Sequence, residues 1–156
     1  MGMTMTGRRL AAGEVDALLA DPGQVESFLF EAEPDLDLDK AWDGLHFVLA
    51  QAGGGAERAL LGSDGWISAG GGAIQARLVP VEEARVVADA LDAVDVSRLR
   101  AEFDPADLVE AGTYPHVWGE GTEEFDGYLL PALRELRVFY RKAADSGRAV
   151  LLGISI

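Results

Sequence analysis

The alternation of apolar and polar residues predicts short strands that frame a set of amphipathic helices. Methionine alternates with threonine within residues 2–9, and this period of two indicates a short strand. Residues 73–79 are typical of a second strand, and the apolar run 149–156 is typical of a third that is central in its sheet. Because the strands fall at the beginning, middle and end of the chain, we expect them to meet in one small sheet.

Helical periodicity is clearest over residues 37–52, where apolar residues recur at spacings of three and four. Before this segment, the pattern predicts helices over 14–20 and 22–30, the second of which begins at an aspartate–proline pair typical of a helix start. After it, residues 56–72 are rich in glycine and are predicted to form an irregular connection.

The second half of the chain is mostly helical by the same criteria. Pro80 begins a helix with two glutamates in its first turn, and residues 95–112 are predicted to form two short helices. Thr122 is the expected cap of a long amphipathic helix that ends at Gly147 and that Pro131 should kink or split. The predicted fold is therefore a single α/β domain, residues 1–156, with a small mixed sheet of three to four strands covered by six to seven helices.

Charge narrows the choice of partners. The chain has 27 acidic and 13 basic residues and a formal net charge of −14, which argues against nucleic acid and against anionic membrane surfaces. Nine of the acids lie between Leu10 and Asp39, where no lysine or arginine occurs. This acidic 14–39 surface is either a solvated face or a landing surface for a basic protein partner.

Other classes of chemistry are disfavoured by what the sequence lacks. With no cysteine, disulfides, thiolate zinc sites and cysteine nucleophiles are excluded. No apolar run approaches the roughly 20 residues of a membrane span, and we expect a cytoplasmic protein. The glycine-rich stretches lack the Lys-Ser/Thr of a phosphate loop. Carboxylates at 35–39 resemble the start of a calcium loop, but Lys40 and His46 stand where glycine and glutamate are needed, so we expect neither a metal nor a cofactor.

The first candidate for chemistry is His46, one of two histidines. On a helix over 37–52, Asp39, Asp43 and His46 share one flank of the apolar stripe. A histidine oriented by a carboxylate can act as a general base or a metal ligand. It can equally be a histidine at the edge of the core that anchors the helix, and the sequence leaves both interpretations open.

The second candidate is the loop before the long helix, where Tyr114, His116 and Trp118 alternate around Pro115. Aromatic residues on a loop can form the rim of a pocket that stacks a small ligand. The alternative is a structured loop whose aromatic side chains fill gaps over the core.

Three segments together resemble a known family. They are the start Met1–Met3, the stretch Leu38–Phe47 (Leu-Asp-Lys-Ala-Trp-Asp-Gly-Leu-His-Phe), and Tyr114-Pro115-x-x-Trp118 with Phe139–Ala143. They resemble the YfbM-like proteins, a bacterial family built on a domain of unknown function, DUF1877. The residues that match this pattern most specifically are Asp39, Lys40, Trp42, Asp43, Leu45 and His46. The resemblance implies helices packed on a small sheet and carries no known activity.

The leading hypothesis is a non-catalytic binding module for a small ligand or a basic protein partner. The candidate binding residues are Asp39, Lys40, Trp42, Asp43, His46, Tyr114, His116 and Trp118. The alternative is a hydrolase in which Asp43 and His46 form an acid–base pair and the loop 114–118 is a lid. A third hypothesis is a homo-oligomer that buries Phe47 or Trp66.

Overall fold

The computed structural model describes residues 2–69, 72–119 and 123–155, and in them five strands form one antiparallel sheet. The strands are β1 (Thr4–Leu10), β2 (Leu36–Asp39), β3 (Trp66–Ala69), β4 (Ile74–Val79) and β5 (Ala149–Ser155). Their order across the sheet is β2-β1-β5-β4-β3, and every neighbouring pair is antiparallel. The α/β class and the central place of β5 are confirmed, whereas the prediction of a mixed sheet with three to four strands is wrong.

The two unpredicted strands are the two edges of the sheet, and each has only four residues. In β2, Leu36 and Leu38 are buried while Asp37 and Asp39 are exposed, which is the period of a strand. The helix predicted over 37–52 wrongly included most of this segment. The chain leaves β2 in a turn in which the Ala41 N–H donates to the Leu38 carbonyl. The helix therefore begins later than predicted, at Trp42.

The described residues contain seven α-helices, which agrees with the predicted number. They are α1 (Ala12–Ala20), α2 (Val25–Phe30), α3 (Trp42–Ala52), α4 (Val81–Asp92), α5 (Val96–Glu102), α6 (Pro105–Glu110) and α7 (Leu130–Ser146). A 3₁₀ turn, Pro22–Gln24, precedes α2, and another, Ala56–Ala59, follows α3. Aspartates cap several of these starts by accepting backbone N–H groups, as Asp95 does from Arg98.

The long C-terminal helix is divided as Pro131 predicts, because a π turn over Phe125–Leu129 precedes α7 and Pro131 lies in the first turn of α7. The predicted cap, Thr122, lies outside the described residues. At the other end, Gly147 ends α7 with a φ of 65°, a left-handed conformation that glycine adopts without strain.

The sheet is covered on both faces, which explains why the central strand has no polar side chain over residues 149–154. Val150 and Leu152 of β5 face the larger core, which α3, α4 and α7 close. Leu151 faces the smaller core under α1 and α2, with Leu18 and Leu29.

Within the described residues, no helix is both long enough and apolar enough to cross a membrane.

A buried tyrosine makes the larger core sensitive to alkaline pH. Tyr140 of α7 is 0% exposed, and its hydroxyl donates to the Ala59 carbonyl at 2.6 Å. Burial raises the pKa of Tyr140 well above its ordinary value of 10.0. Because the neutral phenol is favoured in the folded state, its contribution to stability is complete below about pH 10 and is lost as the pH rises further.

We therefore expect the free energy of unfolding to fall above pH 10, with Tyr140 contributing up to about 1.4 kcal/mol per pH unit. Urea denaturation measures this slope for the protein and for Tyr140→Phe. The pH values should run from roughly 8 to 11, on both sides of the ordinary pKa of tyrosine. The variant should be less stable at pH 8 and show a shallower fall at high pH. Equal slopes in the two proteins would contradict the assignment.

Candidate functional site

A groove lies where the loop before α7 meets the turn between β2 and α3. Its volume is about 570 Å³. Its lining residues are Gly2, Lys40, Tyr114, Pro115, Val117, Trp118, Glu124 and Tyr128. Three residues predicted from the sequence (Lys40, Tyr114 and Trp118) therefore come together around one depression.

The loop that forms one wall of the groove is fixed to α3. Asp43, in the first turn of α3, accepts the backbone N–H of Tyr114 at 2.9 Å. The indole of Trp118 is 7% exposed, and its Nε1–H donates to the Thr113 carbonyl at 3.0 Å. Gly44 of α3 leaves room for this indole, because a Cβ at Gly44 would lie 2.5 Å from a ring carbon of Trp118. The wall is therefore held by hydrogen bonds and packing before any ligand arrives.

The two residues before β1, Gly2 and Met3, lie beside Tyr114, and Gly2 lines the groove. The Tyr114 hydroxyl accepts the N–H of Met3 at 3.0 Å, and the Trp42 Nε1–H donates to the Met3 carbonyl at 3.2 Å. The rings of Trp42 and Tyr114 are 6.4 Å apart. Trp42, a predicted binding residue, is thus a buried support under the groove rather than part of its lining.

The loop backbone departs from ordinary conformations at His116. Its φ is 66°, in the left-handed region that is uncommon for a residue other than glycine. The His116 side chain is exposed and meets the Tyr114 ring edge-on, with 6.1 Å between ring centroids. His116 therefore lies at the rim, next to the groove but outside its lining.

Charges are unevenly spread around the groove. The Lys40 ammonium is exposed, and in the described chain no carboxylate lies within 4.0 Å of it. The Glu124 carboxylate accepts the backbone N–H of Gly119 at 3.1 Å, beside Trp118. Burial, and to a smaller extent the negative charge of Asp39, raises the pKa of Tyr128, which keeps that phenol neutral.

The predicted grouping of Asp39, Asp43 and His46 on one helix flank is wrong for Asp39, which ends β2, whereas Asp43 and His46 lie three positions apart on α3. Asp43 is bonded to the loop, whereas the His46 Nδ1 lies 3.3 Å from the Glu57 carbonyl in the turn after α3. Neither Asp43 nor His46 lines the groove. Among the described residues, no cluster of three or more histidines, cysteines or carboxylates is arranged to hold a metal ion.

Much of the acidic 14–39 surface has local structural roles. Five of its nine acids accept hydrogen bonds from nearby groups of the same chain: Glu14, Asp21, Glu31, Asp35 and Asp37. Most of these bonds satisfy backbone N–H groups at helix starts, turns and the edge of the sheet. The density of acids in this stretch is thus partly explained by the many ends of elements that it contains.

Five lining residues were not among the predicted binding residues: Gly2, Pro115, Val117, Glu124 and Tyr128. The last two lie in or just before the π turn. Tyr128 packs against Trp118, with ring centroids 5.9 Å apart, although the two are ten positions apart in the chain. Tyr128 also follows Gly127 and precedes a leucine pair in an otherwise helical pattern. No local signal marks it as part of a pocket, since the contact depends on how the loop folds back.

Comparisons with known proteins agree on the fold and give no activity. Residues 1–152 match a family model described as a domain of unknown function, DUF1877. Among solved structures, the protein of unknown function YfbM from Escherichia coli is similar at a TM-score of 0.70 and 24% identity, with 99% of each chain covered. At this identity the similarity shows the fold. A comparison with curated proteins finds no match.

Proposed function

Starting from the fact that the chain belongs to the DUF1877 family, a family of unknown function, we propose that it binds a small organic molecule in the groove lined by Lys40, Tyr114, Trp118 and Tyr128. The observation that carries this proposal is the convergence on a single depression of three aromatic side chains and a lysine that has no ion-pair partner among the described residues. Ligand sites in proteins are typically concave and aromatic-lined, with a few polar groups and volumes of roughly 300–1,000 Å³.

The rigidity of the loop supports the proposal. The bonds from Tyr114 to Asp43 and from Trp118 to Thr113 hold two of the groove's side chains without a ligand. A preformed site loses less conformational entropy on binding than a flexible one does. Little of the binding energy would therefore be spent on ordering the loop, which favours a higher affinity for the ligand.

A binding role is preferred over the hydrolase hypothesis. The Asp43 carboxylate accepts a backbone N–H, the His46 ring lies against the Glu57 carbonyl, and neither side chain lines the groove, which favours binding over an acid–base pair. A basic protein partner on the acidic 14–39 surface has less support than the groove, because five of the nine acids there already have structural partners.

The test is a thermal-shift screen of small aromatic compounds against the protein, Tyr128→Ala and Phe30→Ala. Phe30 is a matched control, because it is 44% exposed and lies on α2, outside the groove. A ligand at a hundred times its Kd should stabilise the fold by about 2.7 kcal/mol, which raises Tm by roughly 5–10 °C for a chain of this size. We expect hits that persist in Phe30→Ala and disappear in Tyr128→Ala. A screen without hits, or hits that are unchanged in Tyr128→Ala, would overturn the proposal.

A further inference from the structure

Two hydrogen-bond donors converge at one end of the groove. The Tyr114 hydroxyl oxygen accepts the Met3 N–H, so the hydroxyl's own hydrogen is not used in that bond. The Lys40 ammonium approaches the same place, since a Cβ at Gly2 would lie 3.2 Å from Lys40 Nζ and closer still to the Tyr114 hydroxyl. Glycine at position 2 therefore leaves the space that both groups share.

The Lys40 charge is unusual for this chain. The protein has 27 acidic residues, and in the part of the chain that the structure describes six arginines form ion pairs with them: Arg9, Arg58, Arg77, Arg98, Arg100 and Arg141. Lys40 has no such partner among the described residues, although Asp39 is its neighbour in the chain. An unpaired ammonium beside a hydroxyl donor is a site for an anionic group.

The rest of the groove is aromatic and acidic rather than basic. Trp118 and Tyr128 form its apolar wall, and the Trp118 Nε1–H is already bonded to Thr113, so the indole offers its face and not its donor. Glu124 lies toward Gly119, beside Trp118, and the charge of Asp39 reaches Tyr128. These negative charges disfavour an anion at this wall and so favour its placement at Lys40.

Resting on the proposed function of this groove, we propose that the ligand is a planar aromatic compound that carries one carboxylate. The carboxylate binds the Lys40 ammonium and the Tyr114 hydroxyl, and the ring lies against Trp118 and Tyr128. Two donors match the two oxygens of a carboxylate, whereas a phosphate has three acceptor oxygens and nearly two charges, more than one lysine and one hydroxyl satisfy.

The experiment compares two probes that differ in charge and hardly in shape, indole-3-acetate and indole-3-acetamide, by isothermal titration. We expect the carboxylate to bind about tenfold more tightly than the amide, which is the scale of a charge-assisted hydrogen bond. Lys40→Met should remove most of this difference and Lys40→Arg should retain it. Lys142→Met is the matched control, because Lys142 is the chain's other lysine and is exposed on α7. Tyr114→Phe should reduce the preference while keeping the ring.

The outcomes separate this inference from the proposed function. If both probes bind equally, or if Lys40→Met weakens both by the same factor, the carboxylate assignment is overturned while a ligand site in the groove stands. If neither probe binds at millimolar concentration although other aromatic compounds give groove-dependent hits, the inference fails alone. If no compound binds, both proposals fail.

Discussion

Replacing Arg77 with alanine is expected to lower the free energy of unfolding by about 3–5 kcal/mol, the cost of breaking a buried ion pair by removing one partner. Arg77 lies on β4 and is only 1% exposed. Its guanidinium donates to the carbonyls of Arg58 and Asp64 and, at 2.9 Å, to the Glu83 carboxylate. Without it, the two carbonyls within the glycine-rich connection lose this donor, and Glu83 keeps only its ion pair with the half-exposed Arg58 at 3.1 Å.

Urea denaturation measures this cost directly. Arg85→Ala is the control, because Arg85 is an exposed arginine on α4, the helix that carries Glu83. The double variant Arg77→Met/Glu83→Gln separates the two contributions, since it removes both charges and should recover part of the lost stability. A loss below about 1 kcal/mol for Arg77→Ala, the scale of an exposed ion pair, would show that the buried network is not needed for folding.

The same residue explains why the glycine-rich connection was predicted only as a loop. Residues 62–65 are close to Arg77, and a Cβ at Gly62 would collide with its guanidinium. Trp66 then begins β3, with its Nε1–H donating to the Gly62 carbonyl at 2.7 Å. The strand is therefore supported by a buried arginine on the adjacent strand β4, directly opposite Trp66, and by a glycine that leaves room for its guanidinium. Trp66 and Ile67 favour a strand, but the glycines on both sides of Trp66–Ala69 limit that signal to four residues.

Helices and strands whose apolar pattern extends over many residues were predictable. Short segments that fit both the helical and the strand period were not. The faces of α4 and α7 follow from apolar residues at helical spacing, and β5 follows from its unbroken apolar run. Residues 36–39, Leu-Asp-Leu-Asp, fit a strand and the start of a helix equally well, and pairing with β1 decides between them. The error carried over to the site, because the proposed flank of Asp39, Asp43 and His46 depended on a helix that began at residue 37.

The parts of the candidate site that an unusual local sequence marks were predictable. A loop with three aromatic residues is rare enough to be noticed, and Lys40 was singled out through the family resemblance. The sequence does not show which distant residues are in contact. Asp43 and Tyr114 are hydrogen-bonded although they are 71 positions apart, and Met3 and Tyr114 although they are 111 apart. These two bonds bring Lys40 and the loop to the same groove, and neither residue pair has a local pattern that predicts it.

Trp118 both packs in the core and lines the groove. Trp118→Ala should lower the free energy of unfolding by about 3–5 kcal/mol, as expected for a large buried aromatic residue. The indole is 7% exposed, packs on Gly44 and Tyr128, and forms one wall of the groove. Trp118→Phe should cost less, because it keeps an aromatic ring and loses only the bond to Thr113 and part of the contact area. Urea denaturation gives both values, and similar costs for the two variants would contradict a packing role for the indole.

Gly44→Ala tests the same wall from a residue that does not itself line the groove. Alanine favours a helix over glycine by about 1 kcal/mol, but its Cβ would lie 2.5–2.6 Å from two ring carbons of Trp118. Overpacking of this kind costs about 1–3 kcal/mol, so the net effect on stability should be small or moderately unfavourable. The indole must still move, and Thr113 holds its Nε1, so the groove changes shape. We therefore expect titration with indole-3-acetate to show weaker binding in Gly44→Ala than its modest stability loss explains, and unchanged affinity would place the ligand elsewhere.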